Sequence, residues 1–164
     1  MSVFAQVPEP IVAQPRDLLT PHAFEAVRAT VLDNNPGMNE DTADRVLGEA
    51  LKFVVACAKN RDQYMQPSRV VDEGWHALIL HTAVYAALCE RLGGFVHHFL
   101  SDLTRRAAGS RLTLALITGA GFTPDLQLWG APDRELVKVA ASCVHSPCGG
   151  PTDPEKVCAN KPRD

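Results

Sequence analysis

The segment Pro67–Phe99, PSRVVDEGWHALILHTAVYAALCERLGGFVHHF, decides the fold because it joins a long helical pattern to an abrupt stop. Apolar residues recur at helical spacing from Val70 to Arg91, which predicts one amphipathic helix with its apolar stripe turned toward a core. Gly93-Gly94 then predicts the end of that helix, since glycine takes the left-handed conformation that closes a final turn. After the glycines, the chain can fold back toward the first turns of the helix.

Four of the six histidines lie in this segment, together with a carboxylate at helical spacing. Asp72 and His76 are four residues apart, so a helix places them one turn apart on the same side. His97 and His98 follow the glycine break, and one or both could complete a set of histidines and a carboxylate. Such a set leaves positions open for water or substrate on Zn or Fe(II). The segment therefore predicts a metal site, with the metal left open between Zn, Fe and Cu.

Three further polar residues of the segment are candidates for catalytic roles. Tyr85 or His81 could transfer protons, and Arg91 could pair with an anionic substrate or with a helix-end carboxylate. His81 lies five residues after His76, so a continuous helix turns it about 140° away. The leading hypothesis is a metal-dependent enzyme acting on a small molecule or a peptide, by hydrolysis with Zn or by oxidation with Fe or Cu.

The same residues also fit a non-catalytic interpretation. Asp72 could stabilise a helix N-terminus through the helix dipole, while His76 and the His97-His98 pair could be buried groups bonded to backbone carbonyls. The protein would then be a binding or accessory protein, or a metal-handling protein that uses its C-terminal cysteines. Exposure separates the two hypotheses, because a catalytic site needs the histidines to converge on an open coordination position.

The motifs of this segment resemble those of the bacterial glycine-rich domain-containing protein-like family. The matching patterns are V-D-x-x-W-H, Y-x-x-x-C-x-R and G-x-F-x-H-H, and the resemblance covers roughly residues 39 to 148. It implies a helical domain and carries no established activity. Some members have a second histidine where this sequence has Leu78. The residues that the resemblance marks as family positions are Asp72, Trp75, His76, Tyr85, Cys89, Arg91, His97 and His98.

Length and composition indicate one soluble globular domain with enough chain for a core. The 164 residues are 46% hydrophobic and 21% charged, which is ordinary for such a protein. A net charge of -3 leaves no basic footprint for nucleic acid, and no apolar run is long enough to span a membrane. The N-terminus lacks the pattern of a secretory signal, so a cytoplasmic location is expected. Homo-oligomer formation is left open.

The whole chain predicts an all-α fold, a compact bundle of about five helices. Residues 1–19 contain three prolines and little periodicity, so they are expected to form an irregular, extended arm. The helical domain is expected over residues 20–142, without strands. Beside the central helix, its expected helices run from the cap Thr20 to Asn34, from the cap Asn39 to about Lys59, over 100–118 with a weak point at Gly109, and over 132–142.

Residues 143–164 form a tail of different composition, in which cysteine and histidine lie among glycines and prolines. The possible ligands are Cys143, His145, Cys148 and Cys158. The C-x-H-x-x-C spacing could chelate Zn or Cu(I), since thiolates and imidazole suit both metals. Two alternatives are a redox pair and a tail without function. The total of five cysteines excludes complete disulfide pairing within one chain.

Overall fold

The structure, a computed structural model, describes residues 14–98 and 109–130, except for the side chains of residues 109 and 110. These ranges contain five α-helices, two short 3-10 helices and no β-strand, so the predicted all-α class is confirmed. The α-helices are α1 (Pro21–Asn34), α2 (Glu40–Lys59), α3 (Arg69–Leu80), α4 (Thr82–Arg91) and α5 (Gly109–Gly119). The 3-10 helices are η1 (Pro15–Leu18) and η2 (Leu126–Leu128).

The first three α-helices begin at polar caps, of which Thr20 and Asn39 were predicted from the sequence. The side chains of Thr20, Asn39 and Ser68 each accept a hydrogen bond from the backbone N–H three residues ahead, at 3.2, 2.8 and 3.1 Å. Each bond satisfies a donor that the first turn of a helix leaves without an intrahelical partner. Pro21 also fits the first position of α1, where no such donor is needed.

Helix α2 is the centre of the domain, and α1, α3 and α5 pack against it. One face of α2 is fully buried, and aromatic residues of the neighbouring elements pack against it. The Phe53 ring makes an edge contact with Trp75 of α3 at 5.3 Å between centroids and a tilted contact with Trp129 at 6.2 Å. Helix α3, which carries Asp72 and His76, is therefore held on the core by its own aromatic residue.

The central segment is two helices, and the prediction of one continuous helix from Val70 to Arg91 is wrong at a single residue. His81 separates α3 from α4, with a ψ of 67° that no α-helix accommodates. Its Nε2 atom lies 2.8 Å from Oγ1 of Thr30 in α1, within hydrogen-bond distance. This contact with another helix holds the break in place. The sequence around His81 contains no glycine or proline that would have marked the break.

The described residues include only parts of the predicted N-terminal arm and of the helix predicted over residues 100–118. Of the expected arm over residues 1–19, the structure describes 14–19, where η1 forms and Leu19 is buried in the core. Of the helix expected over 100–118, it describes α5, which ends at Gly119. The helix expected over 132–142 and the tail with Cys143, His145, Cys148 and Cys158 lie outside the described residues. None of the described helices combines the length and the apolar character that crossing a bilayer requires.

Candidate metal centre

Helix α3 presents a carboxylate and an imidazole on the same side. Asp72 is only 2% exposed, although it lies in the first turn. His76 follows one turn later, with its Nδ1 atom 3.8 Å from Oδ2 of Asp72 and its side chain 27% exposed. The spacing predicted from the sequence is therefore present, with the carboxylate buried and the imidazole at the edge of the solvent.

After α4 the chain reverses at two glycines. Gly93 and Gly94 have φ values of +85° and +146°, a region of backbone conformation that other residues rarely adopt. The Arg61 guanidinium then donates hydrogen bonds to the carbonyl oxygens of Gly94 and Phe95, at 2.9 and 3.1 Å. A Cβ atom on Gly94 would lie 3.2 Å from that guanidinium, so glycine also allows this close approach.

The reversal brings His98 to the carboxylate of α3. Its Nε2 atom lies 3.2 Å from Oδ1 of Asp72, and its ring centroid lies 4.8 Å from that of His76. One ligand atom from each of Asp72, His76 and His98 lies within 4.8 Å of the other two. These three residues could hold a metal ion through two imidazole nitrogens and one carboxylate oxygen.

The neighbouring histidine lies outside this group of three residues. The His97 side chain is exposed, and its ring contacts the Phe95 ring at 4.9 Å between centroids. Of the two histidines that the sequence left open after the glycines, the structure brings His98 to Asp72. The two adjacent histidines therefore have different surroundings, one exposed and one against the buried carboxylate.

Burial keeps both imidazoles of the group in the neutral form. Burial, followed by Coulombic repulsion from a protonated His98, lowers the pKa of His76 from its ordinary value of 6.5 to about 4. Burial also lowers the pKa of His98 to about 4, although a backbone hydrogen bond at His98 acts in the opposite direction. At neutral pH both rings therefore carry the lone pair that a metal ion requires.

These lowered pKa values predict acid sensitivity in the metal-free protein. Because both pKa values are lower in the folded chain than the ordinary 6.5, the unfolded chain binds more protons. The stability is fully present above pH 6.5 and is lost as the pH falls toward 4. Because both side chains are partly exposed, so that solvent screens the effect, we expect these two histidines to account for a loss on the order of 2 kcal/mol in the free energy of unfolding.

Urea unfolding of chelator-treated protein at several pH values measures this loss. Carboxylates also titrate in this range, so the comparison is with a double variant carrying His76→Gln and His98→Gln. The double variant should show a shallower loss of stability between pH 6.5 and 4. Parallel pH profiles for the two proteins would contradict the assignment of acid sensitivity to this histidine pair.

Tyr85, a predicted proton donor, lies in the core behind the group. Its hydroxyl accepts a hydrogen bond from Nε1 of Trp75 at 3.0 Å and donates one to the backbone carbonyl of Val96. All three residues are buried. The hydroxyl thus connects α3 to the segment that carries His98.

The other two candidates for catalysis contact parts of the fold away from the three-residue group. His81 lies at the break between α3 and α4, where it bonds to Thr30. Arg91 ends α4 and donates a hydrogen bond to the backbone carbonyl of Leu18 in η1. The structure therefore gives both residues contacts with the N-terminal part of the domain, and their catalytic roles stay predictions.

Sequence reasoning missed Gly74, which lies between the two α3 residues of the group. An added Cβ there would lie 2.8 Å from the backbone oxygen of Val46 and 3.0 Å from Cβ of Ala50, both in α2. Because Gly74 has no side chain, α3 approaches α2 closely. This close approach sets how deeply Asp72 is buried. A glycine in the interior of a helical pattern was the available signal, since glycine there is unfavourable unless close packing requires it.

Comparison with known proteins gave one family match. A family model with the description UCP032817-like matches residues 16–115, more than half of the chain, and this range includes Asp72, His76 and His98. The expected membership of the glycine-rich domain-containing protein-like family is therefore wrong, because the matched family is a different and uncharacterised one. Searches of curated proteins and of solved structures found no match.

Proposed function

The chain belongs to the UCP032817-like family. From the geometry of its own residues we propose that it is a metal-dependent enzyme. The convergence of Asp72, His76 and His98 supports the proposal most directly. These ligands come from two segments, a helix and the chain after a glycine reversal. Two neutral imidazoles and one carboxylate form a donor set that binds divalent transition metals in proteins.

The proposed site would leave coordination positions for water or substrate, because it supplies three protein ligands. The His76 side chain is 27% exposed and that of His98 is 15% exposed, so the site lies at the protein surface. A site at the surface is open to a small molecule or a peptide, which is the proposed substrate class. A bound Zn ion would activate water for hydrolysis, whereas Fe or Cu would support oxidation.

A different observation supports a second candidate function. The hydrogen bond between His98 and Asp72 at 3.2 Å gives the buried carboxylate a partner without any metal. On this alternative, the three residues are a structural polar network, and the protein is a non-catalytic binding or accessory protein. The two candidates differ in whether the wild-type protein takes up metal at this group.

Metal analysis tests the proposed function. The protein is purified without chelator or affinity metal, and its metal content is measured before and after incubation with Zn, Fe(II) and Cu. We expect near-stoichiometric metal in the wild type and a loss of that metal in His76→Ala, with unchanged helical circular dichroism. The metal found then selects hydrolytic or oxidative substrates for an activity screen.

Two results would contradict the proposal. Absence of metal from the wild type after all three incubations would leave the group as a structural network. Metal retained in full by His76→Ala would move the binding site away from α3. In either case a search for a binding partner would take precedence over a search for a substrate.

A further inference from the structure

We infer that Tyr85 is a positioning residue for the metal centre, and that it acts through the backbone of Val96 on His98. The inference rests on the proposed metal site. It assigns to the Tyr85 hydroxyl a role different from the proton transfer predicted from the sequence. The hydroxyl restrains the segment after the glycines, so that the His98 imidazole lies against Asp72.

The hydroxyl occupies the junction between two elements that each supply ligands. It accepts a hydrogen bond from Nε1 of Trp75, the residue before His76 in α3, at 3.0 Å. It also donates to the carbonyl oxygen of Val96, two residues before His98. A single group therefore ties the helix that carries two ligands to the segment that carries the third.

Burial makes this connection stronger than the hydrogen bonds that Arg61 gives to the same segment. Tyr85, Trp75 and Val96 are all buried, so water does not replace their hydrogen bonds when one of them is removed. The Arg61 hydrogen bonds, by contrast, reach only the carbonyls of Gly94 and Phe95 and come from an exposed side chain. The Val96 bond is thus a buried restraint close to His98.

Trp75 contributes a second contact to the same histidine. Its ring centroid lies 4.3 Å from that of His98, with an angle of 43° between the planes. The Trp75 indole therefore packs beside the His98 imidazole. Its N–H donates to the Tyr85 hydroxyl, which in turn donates to the backbone carbonyl of Val96. The two aromatic residues restrain the histidine through its ring and through its main chain.

This arrangement predicts a specific effect on metal affinity. Partners that orient metal ligands from outside the coordination sphere typically contribute about 10- to 100-fold to affinity. Tyr85→Phe removes one oxygen atom and keeps the ring that packs in the core. We therefore expect it to weaken Co(II) binding by about 10- to 100-fold, with an altered cobalt absorption spectrum.

The control is Phe95→Ala, a change in the same segment that spares the hydroxyl. The Phe95 ring packs edge-on against that of Tyr85 at 5.2 Å, and the side chain is 47% exposed. Phe95→Ala should change Co(II) affinity by less than about threefold, because the Tyr85 bonds to Trp75 and Val96 remain. Trp75→Phe, which removes the donor, provides a second test and should weaken Co(II) binding as Tyr85→Phe does.

Amide hydrogen exchange of the metal-free proteins separates positioning from a general loss of stability. In Tyr85→Phe we expect faster exchange over residues 94–98, with little change in α1 and α2. A merely structural role for the hydroxyl would accelerate exchange throughout the domain. Such a general acceleration, or unchanged exchange over 94–98, would overturn the inference.

The Co(II) titration also distinguishes the failure of this inference from the failure of the proposed function. Wild-type protein that binds Co(II), together with Tyr85→Phe of equal affinity and spectrum, would overturn the positioning role alone. Wild-type protein that binds no Co(II) would overturn the metal site, and the positioning role with it. Loss of affinity in Tyr85→Phe, with local exchange changes and a normal Phe95→Ala control, would support both.

Discussion

His98→Ala is expected to lower the affinity of the protein for a divalent metal by more than about 100-fold, whereas His97→Ala should change it by less than about threefold. The two residues are adjacent and chemically identical, so the pair forms a matched comparison. His98 has a ligand atom within 4.8 Å of those of Asp72 and His76, while His97 is exposed and contacts Phe95. Removing one of the three proposed ligands should lower metal affinity more than removing a residue that only orients a ligand from outside the coordination sphere.

Competition with a chromophoric chelator measures both affinities under the same conditions. Circular dichroism checks that each variant keeps its helices, because His98 also accounts for one hydrogen bond to a buried carboxylate. Equal losses in the two variants would show that the histidines are interchangeable and that the geometry of the segment does not select one. A loss of metal affinity confined to His97→Ala would show that His97, and not His98, is the ligand.

Gly74→Ala should lower the free energy of unfolding by about 1–3 kcal/mol, although alanine in a helix is favoured over glycine by about 1 kcal/mol. The new Cβ would lie 2.8 Å from the backbone oxygen of Val46, and a backbone atom has no rotamer by which to move away. Helix α3 must therefore separate from α2. Because Gly74 lies between Asp72 and His76, the shift should also weaken metal binding.

Gly48→Ala is the matched control for this prediction. Gly48 is also inside a helix, α2, but an added Cβ there meets no atom within 4 Å. The substitution should raise the free energy of unfolding by about 0.5–1 kcal/mol through helix propensity alone. Chemical unfolding of the three proteins measures both effects. A stabilised Gly74→Ala variant would contradict the close approach of α3 to α2.

The parts of the fold that were predictable depend on local chemistry. Thr20 and Asn39 were recognised as helix caps because their short polar side chains satisfy nearby backbone donors. The reversal at Gly93-Gly94 followed in the same way from the conformational freedom of glycine. Asp72 and His76 could be paired because a helix fixes the distance between residues four apart.

The parts that were not predictable depend on contacts between distant residues. The break at His81 is held by Thr30, which lies in another helix and leaves no local mark in the sequence. The choice between His97 and His98 depends on how the segment after the glycines packs on α3. The resemblance to a glycine-rich domain-containing protein-like family rested on three motifs, whereas the UCP032817-like match extends over residues 16–115.

The carboxylate and the imidazole that meet in the Asp72–His98 contact are separated by 26 positions along the chain. A metal ion bound there would act as a removable cross-link, closing a loop that contains the whole of α4. Such a link stabilises the folded chain by an amount that grows with the logarithm of the free metal concentration, about 2.7 kcal/mol when free metal is at 100 times its dissociation constant. The melting temperature of this domain would then report the metal supply around it.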